Sequence, residues 1–287
     1  MRSITVRHRT IYRYATAVAL LPHRVLLHPR ESGSLRVTKM DLLVTPDAEV
    51  EWTQDVTGNL VATLAFHSMT SSLTIETRAE LQSWASPWPV FDIAMSAIRY
   101  PFRYDLDEVI DLGALTAQQY EDQAGQVQNW AKGFVCSPTT DTLSLLKDLN
   151  AGISAAISYQ SRDEEGTQSP SQTLDRGWGS CRDFAVLLVE AARSLGFGAR
   201  IVSGYCCNPA DRSAEFISPG TTHAWAEIYL PGAGWIAFDP TNRTVGGHDL
   251  IPVAVGRDIR QVTPVAGSFI GLSDAFLGMS VEVFVSS

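Results

Sequence analysis

The sequence predicts an α+β protein: a β-sandwich domain over residues 1–88, then a core over residues 89–287 in which a helix packs on an antiparallel sheet. Three observations carry that expectation. Residues 1–84 hold repeated period-two alternation, one strongly amphipathic segment begins at Cys181, and residues 223–239 read as two strands joined by a glycine turn.

In the first region the alternating runs fall at residues 4–6, 50–52, 60–66 and 73–75, with turn signals at Pro46-Asp47 and Gly58-Asn59. Several short strands separated by such turns fit an antiparallel sandwich. Ser86-Pro87-Trp88-Pro89 marks the boundary. Residues 94–158 then turn helical, most clearly at 118–132 and 142–157.

From Cys181 onward, Phe184, Leu187, Leu188, Ala191, Ala192 and Leu195 recur at helical spacing and define one buried face. Gly196 suits the terminating position, while Gly177 and Gly179 break structure upstream. Ser180 is the expected N-cap, with Asp183 in the first turn where a carboxylate complements the helix dipole. Residues 201–205 form the next strand. In 223–230, His223, Trp225, Glu227 and Tyr229 share one face; Gly232-Ala233-Gly234 turns the chain, and 235–238 returns with Asp239 at its end.

This order places a thiol at a helix N-terminus, followed by an imidazole and a carboxylate at the outer ends of paired strands. Unpaired N–H groups and the dipole of a first turn favour a thiolate and can donate to an oxyanion. An imidazole held by a carboxylate on one nitrogen can take the thiol proton with the other. Each residue also has a plainer reading: Cys181 as a small buried side chain, His223 as a solvated or core histidine, Asp239 as the start of an Asp-Pro-Thr turn. The combination makes Cys181, His223 and Asp239 the candidate catalytic set.

The stretch from about Tyr159 to Thr244 resembles the core of the transglutaminase-like superfamily, in its bacterial cysteine-protease branch. The resemblance rests on Gly177-Trp178-Gly179-Ser180-Cys181-Arg182-Asp183-Phe184-Ala185, Ser194-Leu195-Gly196, Ala199-Arg200 and Val202-Ser203-Gly204-Tyr205. His223-Ala224-Trp225-Ala226-Glu227, Gly234-Trp235 and Phe238-Asp239-Pro240-Thr241-Asn242 complete it. It implies a papain-like core with Cys181 as nucleophile, His223 as general base and acid, and Asp239 as its orienter. Bacterial members often carry a β-rich region ahead of the core, and His23-Arg24-Val25-Leu26-Leu27-His28-Pro29-Arg30 with Asp55-Val56-Thr57-Gly58-Asn59 are similar to it.

Related enzymes supply a second oxyanion donor from upstream of the nucleophile, where Tyr159 and Gln160 precede the acidic run Asp163-Glu164-Glu165. Either residue fits that role, or a packed aromatic and an exposed amide. Trp178 and Trp225 fit cleft walls or ordinary core aromatics equally. Arg182 and Asp183 fit a local pair or a cleft-ordering role.

The implied chemistry is acyl transfer from a peptide or isopeptide amide through a thioester, with hydrolysis as the expected outcome. Transamidation by a lysine amine and a non-catalytic peptide-binding cleft are the rivals, and the β-rich domain offers a place for a protein partner. No cofactor or metal is expected: Cys206 and Cys207 are adjacent and point to opposite strand faces, and neither CxxC nor HxxxH spacing occurs. No glycine-rich phosphate loop is present. A net charge of −9 argues against nucleic acid or anionic membrane as the main partner. Four irregularly spaced cysteines form no disulfide framework, and neither a secretory segment nor a membrane span is legible, so the expected location is the cytoplasm.

Overall fold

The computed structural model describes residues 1–161, 166–207, 219–220 and 222–286. The acidic run 163–165 lies outside the described residues, as does most of the loop between 206 and 222.

The N-terminal region supplies β1 (Arg2–Leu20), β2 (His23–Val25), β3 (Leu35–Thr45), β4 (Glu49–Gln54), β5 (Leu60–Ala65) and β6 (Met69–Ser83). A short pair, β7 (Arg99–Tyr100) with β8 (Thr140–Asp141), frames the helical lead-in of α1 (Leu106–Leu112), α2 (Gln126–Lys132) and α3 (Thr142–Ala156). Next come β9 (Ser158–Tyr159), α4 (Pro170–Arg176), β10 (Trp178–Gly179) and α5 (Cys181–Ser194). The remaining strands are β11 (Ala199–Cys206), β12 (Pro219–Gly220), β13 (Thr222–Leu230), β14 (Gly234–Asp239), β15 (Thr244–Val245), β16 (Leu250–Gly256), β17 (Val265–Ala266), β18 (Phe269–Ile270) and β19 (Phe276–Ser286).

Two sheets form the sandwich. One runs β12-β19-β1-β6-β3 with β18 beside β1, the other β17-β2-β5-β4. Tyr14, Val18, Val25, Leu64, Leu73 and Ile75 fill the space between them. Strands β17, β18 and β19 return to the N-terminal sheets, with Val6 opposite Val285 and Tyr12 opposite Met279. The backbone of β1 has two hydrogen-bonding edges: β6 pairs with one, and β18 and β19 pair with the other.

The core sheet is antiparallel in the order β15-β14-β13-β11-β16. Helix α5 covers one face: Phe184, Leu187, Leu188 and Ala191 meet Ile201, Ala226, Ile228 and Phe238, flanked by Leu145, Leu149 and Ile153 of α3. These side chains are fully buried. Each buried leucine contributes about 1.5–3 kcal/mol, which fixes the start of α5 against the sheet. The segment expected to be helical at 118–132 is helical only from Gln126. The N–H groups of Gln119 and Tyr120 donate instead to Glu190 of α5 (2.7 and 3.2 Å), and Gly125 turns left-handed ahead of the helix.

The sandwich is locked to the core by polar side chains. Asn59 mimics a strand: its Nδ2 donates to the carbonyl of Val255 (2.8 Å) and its Oδ1 accepts from the Val255 N–H (2.9 Å). Arg30 Nη1 donates to the same Oδ1 (2.6 Å). The motif 55–59 noted in the sequence is thus the latch between the domains. Nearer the site, buried His8 of β1 bridges Tyr205 of β11 (3.2 Å) and Thr10 (2.8 Å), and burial pushes its pKa down to about 4. No helix among the described residues is long and apolar enough to cross a membrane.

Candidate active site

Cys181 is the first residue of α5, directly after Ser180 in extended backbone. Asp183 holds that junction. Its Oδ2 accepts from the Ser180 N–H (2.8 Å) and Ser180 Oγ (2.9 Å), and its Oδ1 accepts from the Gln168 N–H (2.7 Å). The carboxylate is wholly buried, so these donors, together with the positive end of the helix, offset its desolvation. Between the local-pair and cleft-ordering readings, the structure makes Asp183 an anchor of the helix start. Gly179 is required there because a Cβ would lie 2.9 Å from Asp183 Cβ.

Strand β10 pairs in parallel with β9, Trp178 opposite Ser158 and Gly179 opposite Tyr159, and the Gln160 N–H donates to the Gly179 carbonyl (2.9 Å). Residues 158–160 therefore run alongside the chain that leads into Cys181. Tyr159 is half exposed, packs edge-on against Phe184 (6.1 Å), and has its pKa raised by partial burial and then by the Cys181 charge. Gln160 contributes its backbone to the β9–β10 pairing and has an exposed side chain. Trp178 is half buried under the Arg176 guanidinium (5.8 Å).

His223 and Asp239 meet through His223 Nε2 and Asp239 Oδ2 at 2.8 Å. The register pairs Ala226 with Phe238, so Asp239 lies diagonally from His223, and its carboxylate spans the offset. With Nε2 committed to Asp239, the nitrogen left for the sulfur is Nδ1. Burial works against charge on His223. The hydrogen bond to Asp239, then that to Cys181, outweighs it and pushes the pKa up to about 10. Burial likewise opposes charge on Asp239, yet its bonds to His223 and Asn242 hold its pKa below the usual carboxylate value.

The linkage signs follow. The raised His223 stabilises the fold fully below pH 6.5, and that contribution is lost as pH climbs toward about 10. The depressed Asp239 stabilises above 3.8, and its contribution is lost on further acidification. Both shifts favour the charged form of the pair at neutral pH.

Trp225 lies under the imidazole, with ring centroids 6.0 Å apart and planes 29° apart, and is 1% exposed. It is the floor beneath His223, packed with Val202, Ala237 and Val255, rather than a cleft wall. Three side chains to which the sequence reading gave no role in the site lie around it. Asn242 donates to Asp239, Gln168 ties to Asp183, and Cys206 lies 3.7 Å from Asn242 with its pKa pushed up to about 12, chiefly by burial. The Asp-Pro-Thr-Asn turn was the one local signal for Asn242. No group of three or more potential metal-ligating side chains occurs among the described residues.

Residues 128–240 match the transglutaminase-like superfamily core, and residues 4–82 match the bacterial transglutaminase-like N-terminal region. An uncharacterized protein of Mycobacterium leprae (strain TN) is 36% identical over 105 residues, 37% of this chain and 37% of that protein. A protein-glutamine gamma-glutamyltransferase of Pseudomonas aeruginosa is 27% identical over 104 residues, 36% of this chain and 14% of that protein. The matches thus span well under two thirds of these curated relatives. The crystal structure of a "putative cysteine protease" from Cytophaga hutchinsonii superposes with a TM-score of 0.74 at 23% identity, covering 98% of this chain and 89% of that one, and it shares the fold. The chain belongs to the transglutaminase-like superfamily, with the bacterial N-terminal β-rich region ahead of a papain-like core.

Proposed function

We propose that this protein is a cysteine-nucleophile enzyme that transfers the acyl group of a peptide or isopeptide amide, with hydrolysis as its principal reaction. The observation that carries the reading is the division of labour on His223: Nε2 bonds the buried Asp239, which leaves Nδ1 for Cys181 at the start of a rigid helix.

In this scheme the Cys181 sulfur attacks the amide carbon, and the carbonyl oxygen takes up the charge. First-turn N–H groups of α5 donate to that oxygen, and the Tyr159 hydroxyl is the candidate for a second donor on this proposal. Protonated His223 then delivers its proton to the departing amine as the C–N bond breaks, leaving a thioester on Cys181. Water attacks the thioester, His223 takes its proton, and the carboxylic acid leaves as the sulfur regains its electron pair. His223 and Cys181 finish in their starting states.

A second reading is supported by the Pseudomonas relative: an amine in place of water would resolve the same thioester as a new amide, which is transamidation. The substrate on this proposal is a peptide or protein presenting an amide or isopeptide bond, and no cofactor takes part. Incubation with amide and isopeptide peptides is expected to release free carboxyl groups in the wild type and none above background in Cys181→Ala. Ammonia release that depends on an added amine and forms a new amide would favour transamidation. Full activity of Cys181→Ala would end both readings.

A further inference from the structure

We propose that Asn242 is a positioning residue of the site, whose side-chain amide fixes the Asp239 carboxylate in the orientation that receives His223 Nε2. The inference rests on the catalytic reading of Cys181, His223 and Asp239 given above.

Four donors surround Asp239. Oδ1 accepts from the backbone N–H groups of Thr241 (3.0 Å) and Asn242 (3.2 Å), while Oδ2 accepts from His223 Nε2 (2.8 Å) and Asn242 Nδ2 (2.7 Å). The two backbone donors come with the turn, whatever side chain stands at 242. Among the described residues, the amide of Asn242 is the one donor besides His223 that reaches Oδ2, the oxygen that holds the imidazole. Two donors converging on one oxygen, with two more on the other, leave the carboxylate a single orientation.

The amide is itself held on both sides. Its Nδ2 also lies 3.7 Å from Cys206 Sγ on β11. The next residue, Arg243, stands in the left-handed region at φ 57°, which is uncommon for a residue with a side chain. Its guanidinium explains the cost: Nε donates to Ser154 Oγ (2.7 Å) and Nη2 to the Ser154 carbonyl (3.0 Å). Asn150 Nδ2 adds a bond to the Thr244 carbonyl (3.3 Å). The turn is thus clamped to α3, and strain beside a catalytic group marks a position the surrounding structure enforces.

The other titratable groups facing the pair are Cys181 from α5, Cys206 from β11 and Tyr159 from β9. None of them donates to Oδ2 among the described residues, so nothing in place substitutes for the amide.

Two variants separate positioning from packing. Asn242→Ala deletes the donor. Asn242→Asp keeps the shape but sets a second carboxylate against Oδ2, where like charge raises the proton affinity of the pair. Expected at pH 7 is a fall in kcat of about tenfold for Asn242→Ala, the loss of one hydrogen bond to a charged group. Asn242→Asp falls further, and its deficit grows as pH rises, because a shared proton restores a donor only in acid. The low-field proton resonance of the His223–Asp239 bond, observable without any substrate, is expected to shift or broaden in both variants.

Wild-type rates and an unmoved resonance in Asn242→Asp would overturn the proposal, since the isostere would then suffice. So would a Tm loss in Asn242→Ala with an unchanged resonance and pH profile. If the resonance responds as expected while the wild type shows no turnover, the positioning stands and the acyl-transfer reading fails.

Discussion

Asp239→Asn is expected to lower turnover by roughly 10³–10⁴-fold with little change in KM, the scale seen when the carboxylate partner of a catalytic imidazole loses its charge. The substitution preserves volume, so it isolates charge and hydrogen-bond polarity. With an amide at 239, the imidazole is no longer assured of presenting a free nitrogen to the sulfur. The charge that favours protonated His223 also disappears. Against burial, which lowers it, the histidine pKa is carried up to about 10 first by Asp239 and then by Cys181. The alkaline limb of kcat/KM is therefore expected near pH 10 in the wild type and at clearly lower pH in the variant, where Cys181 alone is left to oppose burial. A pH profile of both proteins checks this. An alkaline limb that stays in place would show that another group governs the proton transfer.

Gly204→Ala is expected to cost about 3 kcal/mol, at the upper end of overpacking substitutions. For a chain of 287 residues that corresponds to a fall in Tm of roughly 5 °C. Gly204 sits where the pairing of β11 with β16 shifts register, between Ser203 and Gly204. An added Cβ would run into the carbonyl of Ile251 and lie 2.9 Å from the Trp225 ring. Neither obstacle is a flexible chain end: one is backbone and the other is the buried floor under the imidazole. Gly204 is also the cross-strand partner of His223, so relief of the clash displaces the strand that carries His223. Activity per folded molecule is thus expected to fall along with stability. Gly33→Ala, where nothing lies within 4 Å, serves as the neutral comparison. Thermal melts and rates on the two variants test the argument, and equal Tm values would contradict it.

The parts of this molecule legible in the sequence are those written in local patterns. The helix from Cys181 showed itself through an apolar stripe, a serine before it and a glycine after it. The β13–β14 hairpin showed itself through alternation and a glycine turn, and its ends delivered His223 and Asp239 together. What escaped depends on contacts between distant residues. The return of β19 to β1 joins residues more than 250 positions apart, and an exposed-looking strand at a chain end carries no mark of its partner. The non-helical stretch before Gln126 is drawn out by Glu190, a buried carboxylate on another helix that outbids the local carbonyls for two N–H groups. Trp225 could be a wall or a floor by alternation alone, and its stacking beneath His223 decides. Asp183 and Asn242 looked like ordinary cap and turn residues. Their roles come from which buried atom each one reaches.

The central claim is that Cys181 is the nucleophile activated by His223, and selective alkylation tests it most directly. Iodoacetamide at limiting concentration across a range of pH, with the modified residue mapped by mass spectrometry, compares Cys181 with Cys136, Cys206 and Cys207 in one molecule. Cys136 is exposed and Cys181 only partly so, which means that accessibility alone favours Cys136. Labelling of Cys181 first at neutral pH, with that preference lost in His223→Ala, is the predicted result. Faster labelling of Cys136 in the wild type, or an unchanged preference in His223→Ala, would contradict the account.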